Sequence, residues 1–317
     1  MTAVPATGAP RDAAIRTGSK SFALASRLFD AATRDLVWDL YAWCRHCDDV
    51  VDGQELGHGH LAPTDRDARL TALRAGTAAA FAGTAGVSGP FAALARVVAA
   101  TNLPPVLAED HLAGFAMDTS GRRYESFDET LDYCYHVAGV VGLMMAWVMG
   151  VRDRAVLCRA SDLGLAFQLS NIARDVGDDL VAGRVYLPSA WLRDAGASLV
   201  DGQPLDSAIA ARVAPAVARL LTEAERYYDS AWHGVPHLPG RSAWAVATAR
   251  LVYRDIGRAV RARGAAAWTS RTVVGTPRKL GRLVQAGIAT GWVKAAPRRP
   301  APPRAGLFTP ATVAMLG

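Results

Sequence analysis

No acidic residue follows Asp255 in this sequence, although eleven lysines and arginines do, from Arg258 to Arg304. The chain as a whole carries +6, so residues 1–255 stand at −5 and the cationic excess is confined to the C-terminal third. Such a third fits an anionic membrane surface or an ordinary solvated face. Aromatic residues are not interleaved with these charges, which argues against single-stranded nucleic acid as a partner. Cysteine is scarce as well: four residues without paired spacing exclude a disulfide scaffold. Cys44 and Cys47, with His46, lack the second pair that a zinc site needs, and the four thiols are expected in or near the core. No apolar run reaches the ~18–20 residues of a bilayer span. The longest, "VAGVVGLMMAWVMGV" from Val137 to Val151, suits a buried core helix. The N-terminus has no basic segment followed by an apolar one, so no secretory signal is read there and a cytoplasmic protein is expected. A phosphate-binding Gly-x-x-x-x-Gly-Lys loop, a Gly-x-Ser-x-Gly elbow, a His-Glu-x-x-His helix and a Gly-x-Gly-x-x-Gly fingerprint are all missing.

What is present is helical. Alanine is abundant and β-branched runs are short. Apolar spacing of helical period recurs through 33–52, 66–82, 90–101, 106–118, 129–150, 156–183, 207–233, 241–264 and 276–294. Residues 1–14 read as a flexible N-terminus, 15–294 as one domain, and 295–317 as a proline-rich basic tail. The segment 53–65 is a loop by its glycines, histidines and proline.

Two acidic stripes stand out on otherwise apolar helices. At about 100° per residue, Tyr41, Arg45, Asp48 and Asp52 share one face, while Asp49 falls to the side. In "QLSNIARDVGDD", Gln168, Asn171, Asp175 and Asp179 likewise share a face, with Asp178 off it. Carboxylates one turn apart repel unless a cation or proton lies between them. Mg2+ is commonly held by one or two carboxylates together with substrate phosphates. Two such pairs could therefore grip Mg2+ around a diphosphate, with Arg45 stabilising the negative charge on a departing diphosphate. A single Asp-x-x-x-Asp is common by chance on solvated helices. Two copies, each with amide or guanidinium neighbours on the same face, are not so easily dismissed.

The stretches "SKSFALASRLF", "YAWCRHCDDVVDG", "YCYHVAGVVGLMM", "QLSNIARDVGDD" and "GRVYLP" occur in the order found in the squalene/phytoene synthase family, and the chain resembles that family over roughly residues 15–290, closest to its bacterial phytoene-forming branch. The resemblance implies an all-α isoprenoid-synthase bundle around a central cavity. It implies a prenyltransferase that condenses two geranylgeranyl diphosphates head to head, through a cyclopropylcarbinyl diphosphate, to phytoene, as the first committed step of carotenoid formation. It also implies Mg2+ or Mn2+ at Asp48, Asp52, Asp175 and Asp179, and no need for NADPH. By the same resemblance Arg45 matches a diphosphate-contacting arginine, Gln168 and Asn171 match substrate-binding positions beside the second stripe, and Arg174 and Tyr253 match further diphosphate-side positions. Ser19, Ser21 and Phe22 match a segment that closes over one substrate. Tyr41 and Tyr133 match pocket tyrosines suited to cation stabilisation or proton removal.

Plainer readings stand beside these. Ser19 would serve as a helix cap, and Tyr41 and Tyr133 as core aromatics. Gly139 and Gly142 either make room for a prenyl tail or admit a neighbouring helix. The same chemistry on farnesyl diphosphate would give a C30 product. A non-catalytic interaction protein of the same fold would be expected to have lost aspartates from the stripes. The segment "PRKLGRLVQAGIATGWVK" sets cations beside apolar residues, which suits peripheral contact with the inner face of an anionic membrane.

Overall fold

A computed structural model of the chain describes residues 20–52, 66–297 and 300–316, and the expectations for residues 1–14, Ser19 and the 53–65 loop lie outside them. The described residues form α-helices and short 3-10 or π turns, with no strand among them. In chain order the helices are α1 (Lys20–Ser26), α2 (Ala31–Asp52), α3 (Arg66–Phe81), α4 (Gly89–Thr101), α5 (Pro105–Thr119) and α6 (Phe127–Cys134). They continue with α7 (Val140–Val148), α8 (Arg154–Val181), α9 (Ser189–Asp194), α10 (Ser207–Trp232), α11 (Gly240–Arg263) and α12 (Thr276–Ala295). The starts follow capping chemistry. Asp153 accepts from the amides of Ala155 and Val156 at the head of α8, and Asp206 accepts from Ile209 at the head of α10. Gly183, at φ +74°, takes the left-handed turn that follows α8.

The 129–150 stretch is not one regular helix. Residues Tyr135–Gly139 form a π turn between α6 and α7. One extra residue in the turn re-aims the face below it, and such turns gather at functional sites. Val137, Val141 and Met145 thereby follow Tyr133 down one side of a cavity. The whole Phe127–Val148 unit is long and apolar enough to cross a membrane by length and composition alone. Here Leu131, Val140, Leu143 and Met144 are instead buried in the protein core.

Helix α8 runs through the middle and packs against α7, α10 and α11. Its closeness to α7 rests on glycine. A Cβ added to Gly142 would lie 2.3 Å from the Ala160 carbonyl oxygen, and one on Gly164 would lie 2.2 Å from that of Ala138. Of the two roles open to Gly142, close helix approach is therefore realised, and Gly142 borders the cavity as well. Overpacking of this kind costs about 1–3 kcal/mol or more, because backbone rather than a side-chain tip must move. Gly142→Ala and Gly164→Ala are each expected to destabilise by at least that amount in urea melts. Gly177→Ala, whose nearest neighbour would be 3.7 Å away, should be neutral or gain up to about 1 kcal/mol in helix propensity. Equal losses at all three positions would mean that contact is not the cause.

Polar ties fix the outer helices. Asp39 on α2 takes two hydrogen bonds from Arg96 on α4, at 2.8 and 2.7 Å. The Trp43 indole donates to Thr77 on α3 at 3.2 Å. On the opposite side, α12 is held to α11 by Asp255, which is 1 % exposed and accepts from both Arg278 and Arg282. Burial works against the charge on Asp255, but the two guanidinium groups outweigh it and bring the carboxyl from 3.8 down to about 2. A depressed carboxylate stabilises the fold above its unfolded value and loses that contribution as pH falls through the folded one. The attachment of α12 should therefore hold above about pH 4 and weaken between 3.8 and about 2. Acid unfolding of wild type and Asp255→Asn should differ by about 2 kcal/mol at neutral pH and converge toward pH 2. A constant difference across that range would refute the linkage.

Cys44, Cys47, Cys134 and Cys158 are all buried free thiols, as the sequence leads one to expect. Burial pushes all four above the ordinary thiol range, so they are poor nucleophiles at neutral pH.

Candidate active site

A cavity of about 420 Å3 opens between α2, α6, α7, α8 and α11. Its polar end is built by the two stripes. Helix α2 contributes Tyr41, Arg45 and Asp48, and α8 contributes Gln168 and Asn171. Asp118, Tyr133 and Tyr253 complete this end. Deeper in, the lining turns to carbon, with Phe115, Val137, Val141, Met145, Leu163 and Val246 among the walls. A chamber with a cluster of charged and amide groups at one end and mostly apolar walls beyond, Arg159 and His111 excepted, suits an amphiphile with an anionic head.

Arg45 lies between two carboxylates, 2.9 Å from Asp48 and 2.7 Å from Asp49. Burial works against its charge, but the two aspartates prevail and raise its proton affinity. Asp49 does not line the cavity, in keeping with its off-face position. It is nevertheless 8 % exposed and grips Arg45 from behind, so it is not a peripheral solvated residue. Helical geometry gives a residue's direction but not what fills the space there.

On α8, the Asn171 amide donates to Gln168 at 3.5 Å. Asp175 and Asp179 follow on the same face, one and two turns farther along. Arg174 lies beside them, donating to Asp175 through Nε at 2.7 Å and through Nη2. Arg174, Asp175 and Asp179 are not among the cavity-lining residues. Burial, aided by the neighbouring Asp175, pushes the Asp179 carboxyl from 3.8 up to about 8. A buried carboxylate in that state needs a compensating positive charge to ionise at neutral pH. The Asp52 side chain, like those of Ser21 and Phe22, lies outside the described residues, although all three fall within helical backbone.

Sequence reasoning missed an aromatic and acidic cluster. Tyr133 stacks on Tyr186 with ring centroids 4.6 Å apart, and Tyr124 leans on Tyr133 at 5.3 Å. The Tyr186 hydroxyl donates to Asp118 at 2.8 Å, and that of Tyr133 to the other Asp118 oxygen at 3.4 Å. Burial and Asp118 together push both hydroxyls well above the ordinary tyrosine range. Tyr186 sits in the quoted "GRVYLP" segment and Asp118 at the end of an apolar helix, which are the signals that could have marked them. Arg123, in the link between α5 and α6, pairs with Asp201 and does not line the cavity. Tyr253 stacks on Phe167 at 4.2 Å, which places an aromatic pair beside Gln168 and Asn171.

The residues fit a divalent cation in one specific way. Among the described residues, no group of three or more His, Cys, Asp or Glu side chains is gathered to hold a metal unaided. Mg2+ characteristically takes one or two carboxylates and completes its shell with water and substrate phosphates. Asp175 and Asp179 on α8 and Asp48 on α2 are carboxylates of that kind.

Residues 15–279 match the family model described as squalene/phytoene synthase. A phytoene synthase of Pseudescherichia vulneris is 54 % identical over 252 residues, covering 78 % of this chain and 81 % of the relative. A 15-cis-phytoene synthase of Pantoea ananas is 54 % identical over 250 residues, covering 78 % and 80 %. Among solved structures, a ligand-bound dehydrosqualene synthase superposes with a TM-score of 0.77 at 26 % identity, covering 89 % of this chain and 95 % of that one.

Proposed function

The chain belongs to the squalene/phytoene synthase family, and from that membership we propose how its cavity works as a prenyltransferase of the 15-cis-phytoene synthase type. Two geranylgeranyl diphosphates are joined head to head, through a cyclopropylcarbinyl diphosphate, to phytoene, with release of diphosphate. The observation that carries this reading is a cavity that takes Tyr41, Arg45 and Asp48 from one stripe and Gln168 and Asn171 from the other, with mostly apolar walls beyond them. The relatives named phytoene synthase, at more than half identity, favour the C40 product over a C30 one.

Asp48, Asp175 and Asp179 would hold Mg2+, with Asp52 completing the first stripe. When bound, the ion would offset the negative charge that develops on the diphosphate as the carbon–oxygen bond breaks. Arg45 is held by Asp48 and Asp49 at the polar end, where its guanidinium can meet the same charge. Gln168 and Asn171 offer amide donors beside it. The faces of Tyr41, Phe167 and Tyr253 favour a cation near the polar end. Apolar walls below keep water from an allylic cation that it would otherwise quench. Tyr133 and Tyr186 share Asp118, and their raised proton affinity suits them to orient groups rather than to act as anionic bases.

Incubation with geranylgeranyl diphosphate and Mg2+, without NADPH, should yield a C40 hydrocarbon with a conjugated triene. A C30 hydrocarbon formed preferentially from farnesyl diphosphate would reassign the substrate, and no hydrocarbon from either would overturn the reading.

A further inference from the structure

Helix α12 wears its apolar side outward. Leu280 is 52 % exposed, Val284 59 %, Ile288 59 % and Trp292 76 %. These residues repeat every fourth position and form one ridge. At about 100° per residue, Pro277, Gly281, Gly291 and Ala295 fall in the same arc, and all four are exposed. The outermost face of this helix therefore holds no charged residue along its length. Its inner side is the ordinary one. Ala286 and Thr290 are buried, and Gly287 packs against Trp244, whose indole donates to the Leu283 carbonyl at 2.8 Å. A surface helix normally puts its polar residues outward, so an uncharged outer ridge marks a contact surface.

We propose that this ridge docks on the surface of an anionic lipid bilayer. The choice of occupant follows from the charges at its border. Arg278 and Arg282 lie along one flank, turned toward Asp255, and Lys294 reaches the Leu238 carbonyl on the other. With Lys279, the helix carries four cations and no acid, and no acidic residue follows Asp255 anywhere in the sequence. Cations bordering an apolar ridge that ends in tryptophan match a leaflet in which anionic headgroups surround an apolar layer. A second copy is a poorer occupant, because two-fold pairing of the same ridge would bring together two surfaces of net positive charge, each with four cations against the one Asp255 carboxylate. The inference rests on this surface alone and not on the catalytic reading. It narrows the expected membrane contact from the segment 277–294 to one face of its helix.

Flotation of the full chain with vesicles tests the assignment. Phosphatidylcholine vesicles with roughly 30 % phosphatidylglycerol, at about 0.1 M salt, should carry the wild type upward, and pure phosphatidylcholine should carry much less. Val284→Glu/Ile288→Glu should lower the vesicle-bound fraction at least tenfold, and Trp292→Ala should lower it severalfold. Brominated acyl chains should quench part of the tryptophan emission of the wild type, and that part should be missing from Trp292→Ala. Turnover in detergent and the thermal melt of both variants should stay near wild type, which separates lost docking from lost folding or chemistry. Wild type that stays with the soluble fraction, or a double variant that floats equally well, overturns the proposal. A wild-type dimer in solution that the double variant dissolves assigns the ridge to a second copy and overturns it too.

Discussion

Asp48→Asn is expected to lower kcat/KM by roughly 10²–10³-fold, the cost typical of removing one charge-stabilising group from a preorganised site. The substitution keeps shape and removes only charge. Asp48 lines the cavity, its side chain is 45 % exposed, and it pairs with Arg45, which also has Asp49. The fold therefore has little to lose, and the thermal melt should stay within about 0.5 kcal/mol of wild type, as for most surface substitutions. The half-saturating Mg2+ concentration should rise together with the fall in turnover. Asp175→Asn should behave the same way, with a larger stability cost, because it deprives the half-buried Arg174 of its partner. Asp49→Asn makes a useful contrast. That carboxyl does not reach the cavity, so its loss should loosen Arg45 and raise the substrate KM by about tenfold, a difference of ~1.4 kcal/mol, while leaving the Mg2+ requirement in place. Full turnover by Asp48→Asn and Asp175→Asn would remove the metal assignment.

How much of this was readable from the sequence depends on range. The faces of α2 and α8 were legible because a helix repeats every 3.6 residues and both helices are long and regular. The placing of Tyr41, Arg45 and Asp48 on one side, and of Gln168 and Asn171 on another, needs nothing but that period. The cavity that joins them was not legible from periodicity, since it depends on how α2, α7, α8 and α11 pack; the resemblance supplied it. The π turn at Tyr135–Gly139 escaped because it adds a residue without changing composition. The Asp118, Tyr133 and Tyr186 cluster escaped because its members come from α5, α6 and the segment after α8, and no local pattern links them. The close approach of α7 and α8 was half legible. Glycine at 139 and 142 offered it, but only the Ala160 carbonyl facing Gly142, and that of Ala138 facing Gly164, which the sequence did not single out, show it was used.

The tail is the extreme case of that long range, and it carries the largest expected effect on stability. Residues 300–316 are proline-rich and carry no motif, yet they are stitched to the body. Arg304 donates to both oxygens of Asp162, at 2.8 and 2.6 Å, across 142 positions of sequence. Asp162 is 0 % exposed and also accepts from Ser230. Ser230 in turn accepts from Arg159 at 2.7 Å, and Arg159 donates to the Pro302 carbonyl while bordering the cavity. Farther along, the Phe308 amide donates to Tyr227 at 3.1 Å, and Thr312 donates to Asp110 at 2.6 Å. Removing one member of a buried ion pair leaves the other charge without compensation, at about 3–5 kcal/mol. Arg304→Met should therefore destabilise the protein by that amount and lower Tm by on the order of 10 °C. Asp162→Asn/Arg304→Met should recover much of the loss, because the stranded charge is gone and replacing both partners is far less costly than removing one. If the tail were merely draped on the surface, Arg304→Met would cost less than about 1 kcal/mol, as exposed pairs do, and the double substitution would recover nothing. The same variant also bears on the cavity. Arg159 loses its fixed tail partner when the Arg304 anchor goes, so Arg304→Met, given geranylgeranyl and farnesyl diphosphates together, should discriminate between them less than wild type even at temperatures where the protein stays folded. An unchanged preference under those conditions would confine the tail to stability.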